Sequence, residues 1–212
     1  VNPETPFRLA LLGVFALTLV IAGYHRYHAS QSHEKISRRD EGRWLFLAIR
    51  LAGLSLFLST LAYLVYPPAM AWSQLPLLRG ARWFGLAVAV FSVSLLFCTL
   101  SALGKNLTDT VAVRANHSLV MTGPYRWVRH PYYVSFGLLI ASAMLLSANW
   151  FVGATGFMAL ALLVIRTPIE EQMLVKRFGN DYLVYMEKTP RFIPTIWRSH
   201  SQEPLVDHLR KE

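Results

Sequence analysis

Hydrophobic residues gather into long runs separated by polar, basic stretches. Residues 9–24 are apolar apart from Thr18 and extend back through Phe7 and Arg8. Residues 44–66 form a second run, closed by Pro67-Pro68, and residues 83–103 a third. Residues 132–165 then run 34 positions without a charge. As one helix that run would be roughly 50 Å long, against a hydrocarbon core of about 30 Å. The polar step Ser147-Ala148-Asn149-Trp150 is the natural place to fold it into a hairpin of two short helices. The pattern therefore predicts an all-α integral membrane bundle of about five transmembrane helices, the last two forming a hairpin. Residues 169–188 carry Met173, Leu174, Phe178, Tyr182 and Tyr185 between charges. They predict an amphipathic helix at the interface, broken near Gly179-Asn180.

Composition agrees with a membrane. Hydrophobic residues make up 54% of the chain and charged residues 16%, below the roughly 25% of soluble domains. The lone cysteine, Cys98, lies inside an apolar run, which excludes a disulfide framework and a cysteine metal site. His25, His28 and His33 have no ligand pattern with nearby acids, so no metal is expected. The formal charge of +9 raises nucleic acid as a partner. The basic residues, however, concentrate in alternate loops: Arg26, Lys35, Arg38, Arg39 and Arg43 in the first, Lys105, Arg114, Arg126 and Arg129 in the third. That distribution is explained by orientation and by anionic headgroups, and it predicts an N-terminus outside and a cytoplasmic C-terminus, with no nucleic-acid partner. The first run lacks a small-residue cleavage site and is expected to be a retained anchor. The expected organisation is an N-terminal transmembrane region (1–103), a region carrying the chemistry (104–198) and a flexible tail (199–212).

Candidate chemistry sits where polar groups crowd a span entrance. Residues 123–133, Gly-Pro-Tyr-Arg-Trp-Val-Arg-His-Pro-Tyr-Tyr, place two arginines, a histidine and three tyrosines against an apolar run. Asn116-His117-Ser118-Leu119-Val120 precedes them, and Arg166-Thr167-Pro168-Ile169-Glu170-Glu171 lies at the far end of the hairpin. Folding the hairpin brings the last two clusters together. Taken singly, each has a plain reading. His117 reads as a loop histidine, Arg126 and Arg129 as charges that set orientation, and Glu170 and Glu171 as acids complementing a helix start. Arg50 reads as a snorkelling side chain, and Trp44, Trp72, Trp83, Trp127 and Trp150 as interfacial anchors. Gly153 and Gly156 alone do not argue for a dimer.

As a combination these residues carry more. His117-x-Leu119-Val120-x-x-Gly123-Pro124-Tyr125, then Arg129-His130-Pro131-x-Tyr133, then Arg166-x-x-x-Glu170-Glu171 resemble the isoprenylcysteine carboxyl methyltransferase family. The likeness continues through Phe178-Gly179-x-x-Tyr182-x-x-Tyr185 and Pro190-Arg191-Phe192-Ile193-Pro194. It covers about half the chain, and the N-terminal third resembles the family only as hydrophobic spans. The Arg-His-Pro-x-Tyr piece alone also occurs in phospholipid methyltransferases and resembles part of the sterol reductases. Gln172 stands where relatives often have a further acid, and Leu107-Thr108 where many have an aromatic and a small polar residue.

The resemblance implies methyl transfer from S-adenosylmethionine to a lipophilic acceptor that enters from the bilayer. It would place His117, Ser118, Leu119, Val120, Tyr125, His130, Pro131, Tyr132, Tyr133 and Glu170 around the cofactor. Arg166 would bind the acceptor, with Arg166 and Glu170 as the catalytic pair. The residue types suit these roles: aromatics pack on adenine or face a sulfonium, and an arginine fork holds a carboxylate. A carboxylate acceptor needs no strong base, whereas an amine must lose a proton, which would make Glu170 or Glu171 a base. A phospholipid amine or small thiol acceptor, a nicotinamide-dependent sterol-reductase-like activity and a non-catalytic scaffold stay open at this point.

Overall fold

The computed structural model describes residues 3–30, 43–104 and 118–194. Six α-helices appear among them: α1 (Thr5–Ser30), α2 (Arg43–Val65), α3 (Arg79–Leu103), α4 (Pro131–Ser147), α5 (Trp150–Phe178) and α6 (Asn180–Lys188). Short 3-10 segments, Pro67–Ser73 and Gly123–Arg126, lead from α2 towards α3 and into α4. No strand occurs among the described residues. Helices α1, α2, α3 and α5 are long and apolar enough to cross a membrane, and α4 is a shorter apolar helix of 17 residues. The protein is an integral membrane helical bundle.

Outward-facing apolar side chains, such as Leu9, Val20, Leu54 and Phe91, are more than half exposed. In water that would be an aggregation hazard; in lipid it is the expected surface. Inside, α3 and α4 pack closely, α2 lies on α5, and α1 covers α3. The glycines explain the close approaches. A Cβ at Gly85 would meet Leu145 Cβ at 2.7 Å, one at Gly153 would meet Met144 Sδ at 2.5 Å, and one at Gly156 would meet Ile140 Cγ2 at 2.6 Å. Gly153 and Gly156 therefore serve the α4–α5 contact within one chain. Small hydroxyls tie the helices where lipid offers no alternative partner: Ser59 Oγ lies 3.0 Å from Thr155 Oγ1, and Ser92 Oγ donates to the Ser135 carbonyl at 2.6 Å.

The hairpin turns where the sequence predicts. Ala148 takes a left-handed conformation (φ 46°), ending α4, and Asn149 caps α5 by accepting from the Phe151 and Val152 amides, both at 3.1 Å. Its amide nitrogen donates to the Met70 carbonyl and to Ser73 Oγ, pinning the turn to the 3-10 segment. One expectation fails. The hairpin's second arm is not short, and no separate helix begins at residue 169. Instead α5 continues through Pro168 to Phe178. A proline removes one backbone donor rather than every bond around it. Here the hydroxyl of Thr167 donates to the Leu163 carbonyl at 3.2 Å beside the gap. The break comes at Gly179, whose φ of 56° ends α5 and starts α6. At about 1.5 Å per residue, α5 exceeds a ~30 Å core, so its charged last turns reach beyond the hydrocarbon.

Candidate active site at the open ends of the hairpin

Hairpin geometry puts the start of α4 beside the later turns of α5. Pro131 opens α4 at a position that has no helical bond to lose, and it is fully buried. The next turn then aims Tyr133 at α5. Its hydroxyl donates to Glu170 Oε2 at 2.7 Å and accepts from Arg166 Nη2 at 3.2 Å. Arg166 and Glu170 are one helical turn apart, so both lie on the α5 face that α4 covers. Residues far apart in sequence thus form one bonded row, Arg166–Tyr133–Glu170. His130 stacks on Tyr133, with ring centroids 5.4 Å apart and planes 7° from parallel. Tyr132 meets Tyr133 edge-on at 6.0 Å.

Behind that row lies a buried ionic cluster centred on Glu171, which is 3% exposed. His130 Nε2 donates to Glu171 Oε1 at 3.3 Å; a carboxylate only accepts, so Nε2 carries the proton. Arg191 makes a fork on the same carboxylate, with Nη2 at 2.6 Å and Nε at 3.0 Å from Oε2. Arg129 Nε lies 3.0 Å from Oε1, close enough for an ion pair but without the angle of a hydrogen bond. Its Nη1 instead donates to the Met186 and Thr189 carbonyls at 2.7 and 3.0 Å. The hydrogen bonds to Glu171 outside the spans keep the Arg191 guanidinium protonated, raising its pKa further.

Backbone bonds make the same join. The Arg129 amide donates to the Pro190 carbonyl at 2.8 Å, and the His130 amide to that of Arg191 at 3.0 Å. Phe192 is thereby set against His130, with centroids 5.7 Å apart. Helix α6 adds Tyr185, whose hydroxyl donates to the Tyr125 carbonyl at 2.6 Å and whose pKa burial pushes up to about 12. Burial also raises the Tyr125 phenol well above its ordinary value, with the Glu170 charge adding to the effect. Both tyrosines are neutral hydrogen-bonding and packing groups at physiological pH.

The structure thus brings together Arg166, Glu170, His130, Pro131, Tyr132 and Tyr133, with Tyr125 joined through α6. Ser118 is exposed, and Leu119 and Val120 are half-buried in the irregular stretch before the Gly123–Arg126 turn. His117 lies outside the described residues. Sequence reasoning missed the role of Glu171 as the hub. It read Arg129 as an orientation charge and gave Arg191 no role. The signal available was Arg129 beside His130 at the entrance to an apolar run, for a cation buried there needs a nearby carboxylate.

The hairpin and its row of polar groups belong to an integral membrane helical bundle whose fold can be compared with known proteins. Residues 85–176 match the model of the isoprenylcysteine carboxyl methyltransferase (ICMT) family. It is similar to protein-S-isoprenylcysteine O-methyltransferase of Homo sapiens, 28% identical over 128 residues, covering 59% of this chain and 45% of that protein. It is also similar to the cobalt-zinc-cadmium resistance protein CzcN of Cupriavidus metallidurans, 33% identical over 127 residues, covering 55% of each. Among solved structures it resembles the eukaryotic intramembrane Ras methyltransferase ICMT, with a TM-score of 0.53 and 25% identity over 69% of this chain and 52% of that one. The chain spans about half the length of the curated relatives it matches.

Proposed function

We propose that the protein transfers a methyl group from S-adenosylmethionine to a lipophilic carboxylate, of the isoprenylcysteine kind, at the cytoplasmic face of a membrane. The observation that carries this reading is the Arg166–Tyr133–Glu170 row, which sets a cation and an acid side by side at the lipid boundary. The residues suit the cofactor's chemistry. Glu170 offers a carboxylate to its positive groups, and the stacked His130–Tyr133 pair and Tyr132 offer aromatic faces to its adenine or sulfonium. Ser118, Leu119, Val120 and Tyr125 are assigned to the same cofactor, as is His117 on the strength of the motif.

S-adenosylmethionine supplies an electrophilic methyl group when bound. An acceptor carboxylate is ionised at neutral pH, so the chain has no proton to remove. Its tasks are to hold the acceptor and to exclude water. Arg166 holds the carboxylate, and the Tyr133 hydroxyl fixes the guanidinium against Glu170. Glu171 takes no part as a base, since Arg129, His130 and Arg191 occupy both its oxygens. An amine acceptor would leave Glu170 as the base.

Binding of S-adenosylhomocysteine and of NADPH to the purified protein in detergent tests the class. Failure to bind S-adenosylhomocysteine below millimolar concentration sinks the proposal. Labelled methyl transfer to a farnesylated cysteine analogue, phosphatidylethanolamine and a small thiol tests the acceptor, and the first is expected to be labelled. Arg166→Ala should reduce that transfer at least about a hundredfold while leaving S-adenosylhomocysteine affinity nearly unchanged, as loss of a charged, bidentate contact implies. Equal loss of cofactor affinity would show that Arg166 serves the cofactor instead.

A further inference from the structure

At the other end of the bundle the helix ends enclose a cavity of about 300 Å³. Its walls come from the start of α1 (Glu4, Arg8), the end of α2 (Tyr63), the 3-10 segment (Pro67, Met70, Ala71) and the hairpin turn. That volume is at the small end of ligand pockets. Three observations define what would fill it. Glu4 is committed, because its two oxygens take Arg82 Nη1 and Nη2 at 2.7 and 2.8 Å and the Tyr63 hydroxyl at 3.1 Å. Arg8 lines the cavity and spends one nitrogen, Nη2, on the Leu64 carbonyl. Two guanidinium groups against one carboxylate leave a positive charge at the cavity wall.

The surroundings indicate the source of an anion. Leu9 and Leu12 on α1 and Val65 at the end of α2 are about half exposed or more, and Trp72 stands at the same level. The cavity therefore opens at headgroup depth beside acyl-chain surface. We propose that it binds the phosphate of an anionic phospholipid from that leaflet, with Arg8 as the phosphate ligand and the acyl chains lying along α1 and α2. Arginine matches a phosphate in geometry and charge, and the Glu4–Arg82 pair keeps Glu4 from competing for it.

The test is native mass spectrometry of the purified protein in mild detergent, with phosphatidylglycerol, diacylglycerol and inorganic phosphate as probes. One phosphatidylglycerol should be retained and diacylglycerol should not. Millimolar inorganic phosphate should fail to displace the lipid; displacement would mean a free anion site and would overturn the lipid assignment. Arg8→Gln should weaken retention about tenfold or more, and Arg8→Lys should restore part of it. Because Arg8 also holds Leu64, a second variant is needed. Ala71→Trp fills the cavity and leaves the Arg8–Leu64 bond alone, and it should abolish retention. Unchanged retention in either Arg8→Gln or Ala71→Trp overturns the site. Both variants should bind S-adenosylhomocysteine as the parent does.

Discussion

The two ends of this bundle bury charge in opposite ways. At the end where α1 begins, one guanidinium collects acceptors: Arg82 reaches Glu4, the Leu146 carbonyl and the Tyr63 hydroxyl, and lies over the Phe7 ring at 3.8 Å. At the end where α4 begins, one carboxylate collects donors: Glu171 receives His130, Arg191 and the Arg129 charge. Arg82 fastens helix ends to a carbonyl and to a glutamate that stays about a quarter exposed. Glu171, itself buried, joins the α4 start, α5 and the Pro190–Phe192 stretch at the base of the candidate site. Each cluster keeps one partner in reach of water, Glu4 in the first and Arg191, 46% exposed, in the second, but only the second buries two further groups, Arg129 and His130, against its hub. Burial, more than the number of contacts, sets what the loss of one partner costs.

The sharpest way to break the comparison is Glu171→Gln. It leaves the buried Arg129 and His130, and the half-exposed Arg191, without their shared carboxylate, a change of about 3–5 kcal/mol when a buried charge such as Arg129 loses its partner. A large drop in thermal midpoint is expected, together with weaker S-adenosylhomocysteine binding. A variant as stable as the parent, with unchanged affinity, would mean that the cluster is not buried as described.

Glu4→Gln is the matched change at the other end and should cost less, about 1–2 kcal/mol, because Arg82 keeps the Leu146 carbonyl and Glu4 is partly exposed. Cofactor binding should not move. The same variant sharpens the pH response. Hydrogen bonding to Arg82 holds the Glu4 carboxyl below its ordinary value. A depressed carboxylate contributes stability above its unfolded pKa of about 4.5, and that contribution disappears as pH falls through the folded value. The midpoint difference between parent and Glu4→Gln should therefore shrink on acidification. A constant difference would show that the charge of Glu4 is not what Arg82 uses.

The smallest effect is expected at the turn next to Leu146. Ala148 sits at φ 46°, a conformation that costs a side-chain-bearing residue about 1 kcal/mol. Ala148→Gly should therefore raise the midpoint slightly, by up to about 1 kcal/mol less the entropy glycine loses. A fall would mean that the buried methyl group contributes more than the strain costs.

Apolar run length was enough to place the spans and the hairpin turn, because a bilayer forces backbone bonds inside each segment and so fixes helix as the conformation. The continuation of α5 past Pro168 was not legible. A proline is read locally as a stop, and only packing shows that the surrounding turn survives. For the candidate site, the Arg-His-Pro-x-Tyr spacing and the paired acids after Arg166 marked residues that the fold brings into contact. Identical signals in sequence hid different fates: Glu170 faces the Tyr133 hydroxyl, while its neighbour Glu171, about 100° further round the helix, is enclosed by cations.

The chain by itself determined that this is a helical membrane bundle and where its polar clusters lie along the spans, since both follow from local polarity and spacing. The tertiary structure decided which charges meet. Glu4 finds Arg82 across 78 positions and Tyr133 finds Glu170 across 37. Such pairings depend on which helix faces touch, and that is set by the small residues and the turn that let α3, α4 and α5 approach. No local pattern of charge encodes it.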